Sequence, residues 1–183
     1  EPAAPWGILA ITFTNKAANE LKERLSNMLG EAGQDVWAMT FHSACCRILR
    51  RDIERLGYDK NFTIYDSADS ERVIKDIIKE MGLDDKTFPP RYVLSVISRE
   101  KDKLVTPDMM LEHVENGRDI GLYHVAKVYK KYQAKLKENN ALDFDDIIFK
   151  TVELLRDHPD VLQFYQRKFK YILVDEYQDT NHM

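Results

Sequence analysis

The stretch Tyr171-Ile172-Leu173-Val174-Asp175-Glu176-Tyr177-Gln178-Asp179-Thr180-Asn181 joins an apolar run to two adjacent carboxylates. The run is rich in branched side chains and fits a strand buried on both faces of a parallel sheet. Such a strand delivers the residues after it to the sheet's carboxyl edge, where ligands of open α/β folds sit. At that edge Asp175 is placed to hold a Mg²⁺ through water, and Glu176 to orient and deprotonate an attacking water. The pair suits a nucleotide hydrolase. The same letters also fit a plain buried strand that ends in a charged turn.

Sheet-forming pattern returns at the other end of the chain. Ile8-Leu9-Ala10-Ile11-Thr12-Phe13 reads as a buried strand. A helix from about Asn15 to Leu29 follows, with Ala17, Leu21, Leu25, Met28 and Leu29 on one stripe and Gly30 as its stop. Asp35 to Thr40 reads as a second strand, and His42 to Leu56 as a second helix ending at Gly57. Two consecutive strand-then-helix units predict an α/β layer with parallel strands.

From Ser67 onward the spacing becomes helical. Val73, Ile74, Ile77, Ile78 and Met81 form one stripe, and Pro89-Pro90 and Thr106-Pro107 open further helices. A longer helix runs from about Ile120 to Lys137, and Asp143 caps another that His158-Pro159 breaks. The expected organisation is a sheet-forming part over 1–66, a helical insertion over 67–140, and a return to the sheet over 141–183.

The composition is that of a protein with a core and a charged surface: 44% hydrophobic and 32% charged among 183 residues. No apolar run approaches the roughly 18–20 residues of a membrane span. Glu1-Pro2-Ala3-Ala4-Pro5-Trp6 lacks the basic start and apolar stretch of a signal peptide. Cys45 and Cys46 are neighbours, which excludes a bridge between distant segments, and no Cys/His pair has zinc-ligand spacing. A reducing cytoplasmic setting is expected. The net charge of −4 gives no global attraction to nucleic acid, so any such contact must be local. Local basic clusters are Arg47, Arg50 and Arg51; Arg91, Arg99, Lys101 and Lys103; and Lys127, Lys130, Lys131, Lys135 and Lys137. A lysine-rich helix face is more often simply solvated.

Two strand-to-helix junctions carry polar and aromatic side chains together. At Phe13-Thr14-Asn15-Lys16, a helix start offers unpaired N–H groups, Lys16 adds charge, and Phe13 is suited to stack on a base. Thr40-Phe41-His42-Ser43 repeats the design. Taken singly, each also fits an ordinary helix cap beside a core aromatic.

Together these segments resemble the UvrD/PcrA/Rep family of superfamily 1 DNA helicases. Ile8 to Ala18 is similar to the family's motif Ia, Thr40-Phe41-His42-Ser43 to motif Ib, and Val174 to Asn181 to motif II. Leu142-Asp143-Phe144-Asp145-Asp146 resembles the segment that re-enters the first motor domain after its helical insertion. The resemblance covers nearly the whole chain, in order. It implies a RecA-like parallel sheet of the P-loop NTPase class, subdomain 1A, interrupted by an all-helical subdomain 1B. It further implies ATP and Mg²⁺ as cofactors, with Asp175 on the metal, Glu176 as general base and Gln178 at the nucleotide. Phe13, Thr14, Asn15, Lys16, Thr40 and His42 would touch single-stranded DNA. Arg99, Lys101, Lys103 and the lysines around Lys130 are candidate duplex contacts. The implied partners are single strands and single-strand/duplex junctions, in a bacterial cytoplasm, with 3′ to 5′ movement.

One departure is a phosphate loop: no G-x-x-x-x-G-K-[ST] run occurs among the seven scattered glycines. The expectation is therefore a part of a helicase's first motor domain that binds no cofactor by itself and neither hydrolyses ATP nor unwinds DNA. Open sheet edges are expected to invite pairing with another chain. Two alternatives stand beside this: a non-catalytic module for single-stranded DNA, and part of a helicase–nuclease of the recombination type.

Overall fold

The computed structural model describes residues 3–115 and 119–179. Along the chain run β1 (Ile8–Thr12), α1 (Asn15–Leu29), β2 (Trp37–Thr40), α2 (Phe41–Asp52), β3 (Thr63–Ile64), α3 (Ser67–Glu80), α4 (Pro90–Lys101), α5 (Pro107–Glu115), α6 (Ile120–Glu138), β4 (Ala141–Leu142), α7 (Phe144–Asp157), α8 (Pro159–Lys168) and β5 (Tyr171–Val174). The expected α/β class, a parallel sheet with many helices, is what the chain adopts. The described residues divide into two compact units. Unit 1 holds the residues up to Lys60 and those from Lys150 on, and unit 2 is Asn61–Phe149.

Unit 1 is built on a three-stranded parallel sheet in the order β2-β1-β5. Leu9 pairs with Trp37 and Ile172, and Thr12 pairs with Thr40, so all three strands point the same way. The helices start where the sequence provides a cap. Thr14 Oγ1 accepts from the Ala17 amide at 3.1 Å, and Thr40 Oγ1 accepts from the Ser43 amide at 3.3 Å. Each satisfies a backbone donor that a helix start leaves orphaned. Leu21 and Leu25 of α1 pack on Ala10, Val36 and Ala38, which explains the helical stripe read from sequence. The second helix is shorter than expected. After Asp52 the chain tightens into a 3₁₀ turn, Ile53–Leu56, and stops at Gly57 with φ 75, a left-handed conformation open to glycine.

The apolar run at Tyr171 is parallel and in register with β1, but it is not buried on both faces as expected. β5 is an edge strand, and Tyr171, Ile172 and Leu173 are 53–61% exposed. A hydrophobic run shows which residues can be covered; only the neighbouring elements determine whether they are. Among the described residues β1 is the one strand hydrogen-bonded to it. Thr180 and Asn181 of the same motif lie outside the described residues.

Unit 2 is a helical cluster with a minimal parallel pair, β3 with β4. Its core joins Ile74, Ile77 and Ile78 of α3 with Val93 and Ile97 of α4 and Val125, Tyr129, Tyr132 and Leu136 of α6. A capping box starts α3: Asp69 N–H donates to Asp66 at 2.8 Å, and Asp66 N–H donates to Asp69 at 3.4 Å. The start of α7 repeats it, with Asp146 N–H donating to Asp143 at 2.8 Å and Asp143 N–H to Asp146 at 3.3 Å.

Lys101, read from sequence as part of a basic surface stripe, is 1% exposed in the core of unit 2. Its Nζ lies 2.6 Å from Asp143 and 2.8 Å from Asp146, and Tyr132 OH donates to Asp143 at 2.9 Å. Two buried carboxylates at a helix start need a counter-charge, and the last residue of α4 reaches them. Burial pulls the Lys101 pKa down, but Asp146 and Asp143 outweigh it and hold the ammonium above its ordinary 10.5. Burial, then the same carboxylates, raise Tyr129 above its ordinary 10.0, and burial with Asp143 does the same for Tyr132. A group whose folded pKa is raised contributes stability below its unfolded pKa and loses it as pH climbs. Unit 2 is therefore expected to keep its stability to about pH 10 and to lose it steeply above. Urea titrations at pH 8, 10 and 11, followed by circular dichroism, check this; an unchanged midpoint at pH 11 would contradict it.

Candidate functional site

The parallel register fixes where the singled-out residues go. Ile11 pairs with Val174 and Thr12 with Thr40, so Asp175, Phe13 and Phe41 all leave the sheet at its carboxyl edge. With strands about 4.8 Å apart, the acidic turn and the Thr40 corner are separated by about 10 Å. The chain is pinned there, because Asp175 N–H donates to Ile11 O at 2.9 Å. Asp175 and Glu176 on one side, and Thr14 and His42 on the other, thus share one border of one sheet.

The two corners are built differently from the acidic turn. Thr12 is buried and its hydroxyl donates to Thr14 O at 3.2 Å, which tightens the exit from β1. Phe13, 39% exposed, packs against Phe41 with ring centroids 5.2 Å apart and planes tilted by 51°. Phe41 was not among the candidate contacts, yet it completes an aromatic pair spanning the two junctions. Its signal was the repeat itself, Phe13-Thr14 in one corner and Thr40-Phe41 in the other. Asn15 and Lys16 are exposed on the first turn of α1, and His42 is half-buried on the first turn of α2. Thr40 Oγ1 also donates to Ser43 Oγ at 2.9 Å.

The acidic turn is exposed and unusual in its backbone. Asp175 Oδ1 accepts from the Glu176 amide at 3.1 Å. Gln178 Nε2 donates to Glu176 Oε2, so the singled-out glutamine holds the singled-out glutamate. Glu176 has φ 52, in the left-handed region. A residue with a Cβ there costs about 1–2 kcal/mol. Beside Asp175, a cleft of about 500 Å³ is lined by Ile11, Thr12, Ala17, Glu20, Arg24 and Val174, among others. Glu20 and Arg24 belong to none of the motifs legible in the sequence. They sit three and seven residues beyond Ala17, a helical spacing that places them on the same flank.

Among the described residues no cluster of three or more His, Cys, Asp or Glu is arranged to hold a metal alone. The donor set fits Mg²⁺ nonetheless, since that ion is held by one or two carboxylates together with water and substrate phosphates.

The whole chain, residues 1–183, matches the family model of the UvrD/REP helicase N-terminal domain. The chain belongs to that family. It is 54% identical over 181 residues to the ATP-dependent DNA helicase PcrA of Bacillus subtilis. It is 50% identical to PcrA of Staphylococcus epidermidis and 49% identical to that of Staphylococcus aureus, each over 178 residues. In all three comparisons 97% of this chain is covered but 24% of the relative, so the chain spans about a quarter of their length. Membership of the UvrD/REP family accounts for the α/β class and the parallel sheet of unit 1. No helix among the described residues is long and apolar enough to cross a membrane.

Proposed function

We propose that the chain is the 1A and 1B portion of an ATP-dependent DNA helicase that moves along single strands and separates duplex at junctions. The proposed setting is a bacterial cytoplasm, with 3′ to 5′ movement. Subdomain 1A takes 1–66 and 141–183, and 1B takes 67–140. One observation carries the reading: the carboxylate pair and both polar-aromatic corners lie on the same sheet edge. A motor must couple a nucleotide site to a strand grip, and residues on one rigid edge can do so through small shifts of two loops.

Bound MgATP would supply a polarised terminal phosphate as electrophile. Asp175 would hold the metal, and Glu176 would accept the proton of the attacking water on a carboxylate oxygen. Gln178, bonded to Glu176, would keep that carboxylate oriented and border the nucleotide. The left-handed backbone at Glu176 supports the assignment, because a strained residue retained against its cost is a common mark of a working side chain. By itself the chain has no glycine-lysine phosphate loop, so no ATP turnover stimulated by DNA is expected from it. A steady-state assay with saturating single strands checks this.

Phe13, Thr14, Asn15, Lys16, Thr40 and His42 form the strand grip. The Phe13–Phe41 pair offers a stacking surface, and two helix starts offer backbone donors that are blind to sequence. Phe13→Ala is expected to weaken oligothymidylate binding by about 1–3 kcal/mol, roughly five- to 150-fold. Fluorescence anisotropy at low salt measures it; unchanged affinity would remove the grip assignment. The same aromatic pair favours a second reading, in which the chain alone is a non-catalytic single-strand module. It predicts anisotropy binding by the 183-residue chain that falls with salt.

A further inference from the structure

The amino edge of the same sheet carries a second constellation that the proposed motor chemistry does not use. Trp37, at the start of β2, is buried and packs edge-on against Phe169, centroids 5.0 Å apart, and Tyr165, 6.4 Å apart. Cations sit on this aromatic floor. The Arg47 guanidinium is 4.1 Å and Lys168 Nζ 4.5 Å from the Trp37 ring centre, and Arg51 lies 3.3 Å over Phe164. Next to it a cleft of about 560 Å³ is lined by Trp6, Asp160, Gln163, Phe164, Arg167 and Lys168. Trp6 is 57% and Phe164 41% exposed.

Positive charge predominates here. Asp160 is engaged by Arg55 at 2.5 Å and Asp52 by Arg51 at 3.7 Å. Among the described residues, Arg47, Arg167 and Lys168 have no carboxylate within ion-pair distance. Burial first, and Arg47 and Arg51 after it, hold the Lys168 ammonium below its ordinary range. The chain as a whole carries −4, so this concentration is local. Stacking on aromatic rings also fixes two of these cations in place, lowering the ordering cost of an incoming anion.

We propose that this amino-edge cleft is a second contact for single-stranded nucleic acid, with a base against Trp6 or Phe164 and phosphates on Arg167 and Lys168, and with Arg47 adding charge from beside Lys168 on the Trp37 ring. Exposed rings interleaved with cations are what a single strand needs, because bases stack while phosphates neutralise. A carboxylate side chain would satisfy the cations and leave both exposed rings uncovered. The helix α2 links the two edges. It starts at the Thr40 corner and reaches Arg51 about 15 Å further along, at about 1.5 Å per residue, passing Arg47 on the way. The site goes beyond the proposed function, which places the strand on the carboxyl edge alone.

The test titrates the 183-residue chain with an oligothymidylate while following Trp6 fluorescence, in the parent, Phe13→Ala, Trp6→Phe and Arg167→Glu forms. Arg167 is exposed, so its charge reversal leaves the core untouched; circular dichroism verifies each fold. The expected result is quenching that survives Phe13→Ala, disappears in Trp6→Phe, and weakens at least tenfold in Arg167→Glu. The salt slope should also drop by about 0.7 for the lost phosphate contact. Absent quenching, quenching abolished by Phe13→Ala, or equal quenching by polyglutamate would each overturn the proposal. The Phe13→Ala arm separates the edges: anisotropy binding unaffected by it refutes the carboxyl-edge grip while leaving the amino-edge site standing.

Discussion

Glutamine in place of Glu176, in a full-length helicase carrying this chain, is expected to bind nucleotide within a fewfold of normal and to turn over about 10²–10⁴-fold more slowly. The amide is nearly isosteric, and its oxygen can still accept from Gln178, which bonds Glu176 Oε2 here. The left-handed backbone at this position is also kept, since the side chains branch identically up to Cδ. What disappears is the capacity to take a proton. The loss corresponds to about 3–5 kcal/mol of barrier, far above the contribution of one surface hydrogen bond. Nucleotide affinity by equilibrium titration and turnover by a coupled assay separate the two effects. A variant that turns over normally would remove Glu176 from the mechanism.

Methionine in place of Lys101 is expected to destabilise unit 2 by about 3–5 kcal/mol, because two buried carboxylates lose their counter-charge. The stem is of similar length, so the packing volume is largely kept and the effect is electrostatic. Asp143 would retain Tyr132 OH and the Asp146 amide, and Asp146 would retain Gln133 Nε2 at 3.1 Å. Those bonds do not neutralise two charges. The urea midpoint at pH 7 measures the loss. A decrease below about 1 kcal/mol would mean that the Lys101 ammonium is not what holds the two carboxylates in the fold. The same variant should show a flatter decline between pH 10 and 11 than the parent, since one of the titrating groups has been removed.

Much of this was legible in the sequence where local chemistry decides structure. Thr14 and Thr40 announce helix starts by their own hydroxyls; Pro90, Pro107 and Pro159 stand in first turns; Gly57 ends a helix. The parallel register then followed from strand–helix–strand order, and it alone brought Asp175 to the border of Phe13 and His42. Other features depend on partners distant in the chain. Lys101 stands between Arg99 and Lys103 and looked like one more surface cation, because its carboxylate lies 42 residues away. β4 is two residues long, too short to show any period. The exposure of Ile172 and Leu173 depends on what lies beside β5, and their own side chains carry no sign of it. Trp37 gave no hint of its cations, which arrive from α2 and α8.

The motor reading rests on the two corners acting on one strand. Hydrogen–deuterium exchange of a full-length helicase carrying this chain, with and without oligothymidylate, tests that most directly. Amides around Phe13–Lys16 and around Thr40–Ser43 are expected to slow together when the strand is added. Protection confined to unit 2, or reaching one corner without the other, would contradict it.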